Sequence, residues 1–231
     1  MIPNRKAQEI AKKTMADLAA FITVDMTEKD IFEFATRRMI ELGSDAWWYH
    51  DIPCLVLSGR RSGLSIGRDY VPDDTVLIQA EDIVTIDLAP TYRGEWGDYA
   101  RTLVLQKGKV TKSLIEIKNL ALRQGVEAEN RLHDTFVQLV KPYMTYEEVY
   151  TLMNKQITDM GYVNLDFKGN LGHSIERDQS QRIYLEKGNP MRLCDYGKPF
   201  TFEPHIQAEG GTYGFKKENI YYFENNHCKA V

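Results

Sequence analysis

The chain has 231 residues, 43% of them hydrophobic and 27% charged, which is enough to bury a core without disulfide staples and excludes disorder, collagen and long coiled coils. Its formal charge of −4, from 29 basic and 33 acidic residues with no long basic run, argues against a general nucleic-acid binder. Three widely spaced cysteines, Cys54, Cys194 and Cys228, form no CxxC pair, which excludes a thiolate zinc site and points to a reducing compartment.

The first residues, MIPNRKAQEIAKK, carry no apolar signal region, and the longest apolar stretch, around Leu18–Val24, falls far short of the roughly 20 residues that span a bilayer. A soluble, cytoplasmic protein without membrane contacts is expected. A first amphipathic helix is marked by Ala7, Ile10, Ala11, Met15, Leu18 and Ile22. A second runs from Met26-Thr27 to Gly43 with apolar residues Ile31, Phe34, Ala35, Met39 and Leu42 on one stripe. Pro53–Ser58 and Asp82–Ala89 read as apolar strands. The turn residues of Thr91–Gly97 then return the chain along Asp98–Leu105 as a hairpin.

The pattern then recurs. A helix begins around Leu114, Ile117 and Ala121, and a further one runs from Met144-Thr145 to Gly161. Its stripe of Val149, Leu152, Met153, Ile157 and Met160 matches the earlier one at an offset of 118 residues. Each copy opens on a threonine suited to the N-cap and ends on a glycine suited to the helix C′ position. Pro199–Ile206 and Phe215–Phe223 are the counterpart strands. Helix, helix, strands, twice over, predicts a single α+β domain over 1–231, with pseudo-repeats at about 5–105 and 115–223. A curved antiparallel sheet would carry the helices on its outer face.

Asp87 interrupts the apolar run Ile83–Ala89, and a buried carboxylate must pair, bind metal or lose its charge. Asp98 follows on the returning strand. The second half repeats this with Glu203 and Glu218, so Asp87 is expected to overlay Glu203, and Asp98 to overlay Glu218. His173 lies between them in Leu171–Ile175. Four carboxylates in one place repel unless cations sit among them. An oxygen-rich set with one imidazole suits Mn, Fe or Co, with Zn as a further candidate. There are enough ligands for two divalent ions, which two-metal sites hold about 3.5–4 Å apart.

The segments IDLAPTYRGEWGDYARTL, LGHSI, FTFEPHI and YGFKKEN resemble the metallopeptidases that include methionine aminopeptidase, aminopeptidase P and prolidase, with creatinase as a non-peptidase relative. The resemblance runs from about residue 5 to 225. It implies the duplicated "pita-bread" fold and metal ligation by Asp87, Asp98, His173, Glu203 and Glu218, with Glu203 also shuttling a proton. A compact arrangement similar to that of the methionine aminopeptidases, without a preceding domain, is expected. The chain departs from the family at three positions. Lys216 stands where the prolidase branch usually has arginine. The two histidines that contact the scissile carbonyl and leaving amide in family peptidases are replaced, one at about Asp69 or Tyr70 and the other at Ser180.

Further substrate-binding candidates are His205, which shares a strand face with Glu203, and Arg177 and Arg182, whose guanidinium forks suit a carboxylate. His50 follows the aromatic run Trp47-Trp48-Tyr49. The function expected is a dinuclear metal-dependent hydrolase resembling Xaa-Pro aminopeptidase or prolidase, acting on a small amide or C–N bond. Two alternatives stand beside it: a repurposed lyase, cyclase or oxidative enzyme on a specialised metabolite, and a catalytically dead binding module. The partners expected are a small molecule or short peptide as substrate and, as an option, a second copy in a homodimer.

Overall fold

A computed structural model describes residues 4–231. The first half runs α1 (Arg5–Phe21), α2 (Glu28–Glu41), β1 (Ala46–Trp47), β2 (Cys54–Ser58), β3 (Asp82–Leu88), β4 (Pro90–Tyr92), β5 (Glu95–Trp96), β6 (Tyr99–Gln106) and β7 (Lys109–Val110). The second runs α3 (Leu120–Leu139), α4 (Tyr146–Asp159), β8 (Tyr162–Asn164), the single turn α5 (Leu193–Tyr196), β9 (Phe200–Phe202), β10 (His205–Ala208), β11 (Gly214–Lys216), β12 (Asn219–Glu224) and β13 (His227–Ala230). No helix among the described residues is long and apolar enough to cross a membrane.

Local chemistry starts and stops the repeated helices in the same way. Thr27 accepts from the Asp30 amide, while the Asp30 carboxylate accepts from the Thr27 amide at 2.8 Å. Thr145 and Glu148 form the same reciprocal capping box ahead of α4. Both helices run into a glycine in the left-handed region, Gly43 at φ +103° and Gly161 at φ +78°, a conformation that only glycine adopts without strain. The stripes face two separate cores. Ile31, Ala35 and Met39 join Ile10 and Leu18 against Val56, Val84 and Ile86. Val149, Met153 and Ile157 join Leu132 and Phe136 against Phe200, Phe202 and Ile206.

Strand pairing reproduces the duplication. Val84 on β3 pairs with Ser58 and Leu103; Phe200 on β9 pairs with Tyr221 and bridges to Ser174. The expected strands are nevertheless more broken than the sequence suggested. The sheet is divided into four pieces, ordered β2-β3-β6-β7, β1-β4-β5, β11-β10-β8 and β13-β12-β9. Pro199–Ile206 splits at Glu203-Pro204 because proline has no N–H for the ladder. Phe215–Phe223 splits opposite it, because the Glu218 amide donates to Ala100 O, 3.0 Å away in the first half. The register nonetheless continues across the break, with Phe202 opposite Asn219 before it and His205 opposite Lys216 after it.

This seam joins the halves. Arg101 donates to Glu218 O at 2.7 Å, and Thr102 exchanges hydrogen bonds with the Lys216 backbone. It also corrects the expected overlay. Asp87 pairs with Ala100, so by register Ala100, not Asp98, corresponds to Glu218. Asp98, two residues earlier, corresponds to Lys216.

Candidate metal and catalytic centre

The five predicted ligands come from both halves and converge at the seam. Asp87 sits one residue from the end of β3. Asp98 precedes β6, and its backbone is clamped by the buried Gln8 amide, which donates to Asp98 O and accepts from Asp98 N, both at 2.8 Å. His173 is held edge-on to β9 by Thr201 N–H donating to its carbonyl at 2.7 Å and by its own amide donating to Thr201 Oγ1 at 3.0 Å. That approach requires Gly172: a Cβ there would lie 2.2 Å from Thr201 O, and its φ is +147°. Glu203 and Glu218 occupy the two strand breaks.

The side chains form two overlapping trios, Asp98–His173–Glu218 and Asp87–Glu203–Glu218, each with donor atoms within 4.8 Å of one another. His173 Nδ1–H donates to Ser174 O at 2.9 Å, which leaves the Nε2 lone pair facing Asp98 Oδ2 at 3.5 Å and Glu203 Oε1 at 3.8 Å. That orientation suits ligation by a neutral imidazole. Burial holds the ring neutral by pushing its pKa down.

Asp98 and Glu218 are 2% and 0% exposed. Asp98 Oδ2 and both Glu218 oxygens have no hydrogen-bond partner. Burial first, then Asp87 and Glu203, raises the Asp98 pKa well above the carboxylate range. Burial, Asp98, Glu203 and Asp87 do the same to Glu218. Acceptor oxygens packed this way without donors fit a bound cation, which would replace the missing hydrogen bonds and bring both groups back to their ionised form. Oxygen donors with one imidazole match a divalent transition metal.

Lys216 enters the same cluster. Its ammonium donates to Asp87 Oδ2 at 2.6 Å and Glu203 Oε2 at 3.2 Å. Burial works against its charge, but Asp87, Glu203 and Glu218 outweigh that and hold it protonated.

The cluster is the floor of a cavity of about 360 Å³ with walls that include Trp48, Tyr49, Tyr184, Arg182 and the Phe167 loop. Arg182 stands 5.3–5.8 Å from the ring centres of Trp48, Tyr49 and Tyr184. Its Nε–H donates to Gln179 O, and no carboxylate pairs with it among the described residues. His205 lines the cavity, but its Nε2–H is committed to Ser62 O at 2.7 Å. Burial and then Lys216 push its pKa down to about 4. Cys54 also lines the cavity, and burial raises its thiol pKa, so a thiolate nucleophile is disfavoured.

The remaining candidates lie outside the cavity lining. Asp69 and Arg177 are exposed. Ser180 is exposed and bonded to Asp178, and His50 is exposed beside Gln179. Tyr70 is buried and exchanges hydrogen bonds with the Val56 backbone. Each sits on a loop whose path sequence spacing does not fix. Gln8 and Tyr184 were not anticipated at all. A glutamine inside an amphipathic helix carries no local signal, although its place among the buried residues Ala7, Ile10 and Ala11 is a weak one.

The sequence pattern of metallopeptidase family M24 matches residues 4–225. An uncharacterised peptidase of Bacillus subtilis is 26% identical over 211 residues, covering 89% of this chain and 54% of that protein. A Xaa-Pro dipeptidase of Lactobacillus delbrueckii is 29% identical over 133 residues, covering 58% of this chain and 33% of the relative. The chain thus spans about half or less of the length of these curated relatives. Among solved structures, the prolidase of Pyrococcus furiosus superposes with a TM-score of 0.73 at 26% identity, covering 97% of this chain and 61% of that one. Methionine aminopeptidase of Thermotoga maritima gives a TM-score of 0.75 at 15% identity, covering 97% and 93%. The fold is the duplicated pita-bread fold of these proteins.

Proposed function

Since the chain belongs to metallopeptidase family M24, we propose that it is a divalent-metal-dependent hydrolase of a small amide or other C–N bond, similar in chemistry to Xaa-Pro aminopeptidases and prolidases. The observation that carries this reading is the buried acidic cluster with orphaned oxygens on Asp98 and Glu218, which lines a cavity through Asp87, Asp98, His173 and Glu203. Asp98, His173 and Glu218, with Glu203 at their edge, would hold an ion, while Asp87 and Glu203 flank a neighbouring position that the Lys216 ammonium reaches; Mn, Fe, Co and Zn all suit the donor set. A bound ion of this kind supplies an activated water and polarises the carbonyl under attack.

The chain's own groups do the rest. Glu203 reaches the cavity floor and can accept a proton from the nucleophile and pass it to the leaving nitrogen. Thr201 Oγ1, 3.5 Å from Glu203 Oε1, and Lys216 orient that carboxylate. Trp48, Tyr49 and Tyr184 form an apolar wall against one side of a small substrate, and their rings hold the Arg182 guanidinium where a carboxylate or other anionic group on the substrate can pair with it.

The test combines metal analysis of anaerobically purified protein with a screen of N-acyl amino acids and other small anionic amides. Co-purifying transition metal and turnover of one of these amides, with a raised KM in Arg182→Met, support the reading. Absence of metal after reconstitution with Mn, Fe, Co and Zn refutes it.

A further inference from the structure

Lys216, the last residue of β11, lies two residues before Glu218, and both side chains enter the carboxylate cluster. In the first half Ala100 holds the place of Glu218, and Asp98 stands two residues before it. Where the first half carries a ligand carboxylate, the second half therefore carries an ammonium. That ammonium is bonded to Asp87 and Glu203, two members of one of the trios able to hold a metal.

The other trio has no cation of its own. Within the cluster the unpartnered oxygens are Asp98 Oδ2, which belongs to this trio alone, and both oxygens of Glu218, which the two trios share. Neither Asp87 nor Glu203 has an orphaned buried oxygen. The need for a further cation is thus concentrated on the Asp98–His173–Glu218 side, while the Asp87–Glu203 side already has one.

We infer that Lys216 is a built-in cation of the second metal subsite, so that the chain retains a single divalent ion on Asp98, His173 and Glu218. An ammonium and a divalent ion competing for the same oxygens repel at such short range, and an intramolecular lysine competes without loss of translational freedom. A second ion enters only by driving the side chain out. Charge stabilisation on that side of the substrate then comes from an N–H donor rather than a Lewis acid. Asp87 anchors the lysine instead of ligating metal.

The inference rests on the metal-dependent reading above, and metal counting separates the two. Wild type, Lys216→Met and Lys216→Arg are reconstituted with excess Mn²⁺, desalted, and analysed for bound metal and by electron paramagnetic resonance. One equivalent with the signal of an isolated ion is expected in wild type and Lys216→Arg, and two equivalents with an exchange-coupled signal in Lys216→Met. Two equivalents of similar affinity in wild type overturn the role of Lys216 and leave the metal reading intact. A Lys216→Met protein that folds by circular dichroism yet stays at one ion also overturns it. No bound metal in any form overturns both.

Discussion

At the scale of single residues, the buried carboxylates with unpartnered oxygens divide into two that a metal can neutralise and one that it cannot. Asp98 Oδ2 and both Glu218 oxygens lack donors, and after burial the Asp98 carboxylate is what most disfavours charge on Glu218. Chelator-treated Glu218→Gln should therefore melt above chelator-treated wild type, by roughly 2–4 °C for each kcal/mol of repulsion relieved. Added metal should raise the melting temperature of wild type and not of the variant, because a ligand stabilises only the state that binds it. Equal metal uptake by the two proteins in calorimetry would refute the assignment.

Glu129 on α3 is also buried with both oxygens unpartnered, but it belongs to neither trio. Burial raises its pKa well above the carboxylate range, against the pull of Lys217, Lys216 and Arg101. A carboxyl group whose folded pKa is raised stabilises the chain below its unfolded pKa, and that contribution is lost as pH climbs through the folded value. His133, one turn further on, acts in the opposite sense, because burial and Lys217 lower its pKa. The comparison must therefore be between proteins rather than between pH values alone. Glu129→Gln should gain in urea midpoint relative to wild type between pH 5 and pH 8; a gap that does not change with pH contradicts this account.

At the scale of elements, the capping boxes of α2 and α4 are duplicated features with the same geometry. Thr27→Ala and Thr145→Ala should each cost about 0.5–2 kcal/mol. They feed separate cores, so the double variant should lose the sum, to within about 0.5 kcal/mol. Urea titrations of the four proteins measure this, and marked non-additivity would mean that the halves are less independent than their cores imply. The short segment carrying His173 has a different constraint. Gly172→Ala places a Cβ against the Thr201 carbonyl in a backbone region that alanine avoids, so it should weaken metal retention although every ligand remains.

At the scale of the whole molecule, the cavity determines which substrates can be held. The histidines in its lining are His173, turned toward the carboxylates, and His205, tied to Ser62. Neither Asp69 nor Ser180 reaches it. Donors aimed at a developing oxyanion are typically worth about 2.7–4 kcal/mol each, so ordinary Xaa-Pro and Met-Xaa peptides should be poor substrates even at saturating Mn²⁺ or Co²⁺. A peptide screen that finds kcat on the order of 10 s⁻¹ would show that other groups replace those imidazoles.

The sequence by itself determined whatever depends on period and local chemistry. Apolar spacing located the four long helices and the faces they bury, although α3 begins at Leu120 rather than around Leu114; threonine and glycine marked the ends of α2 and α4, and the repeat at 118 residues implied two matching halves. The paired carboxylates of the two hairpins identified four of the five residues that converge, since a charge in an apolar run such as that around Asp87 needs a partner wherever the strand goes, and the histidine of Leu171–Ile175 supplied the fifth. Only the tertiary structure decided what depends on contacts between the halves. Pro204 breaks the strand, but the Glu218 amide leaves its ladder because Ala100 O lies across the seam. The registers of the two hairpins match Asp98 with Lys216, a correspondence invisible to an alignment that matches carboxylate with carboxylate. The loops carrying Arg182 into the cavity, and Asp69, Ser180, Arg177 and His50 away from it, have no period to read. Arg182 is placed by packing against Trp48, Tyr49 and Tyr184, and Ser180 by the turn that the Asp178 side chain closes.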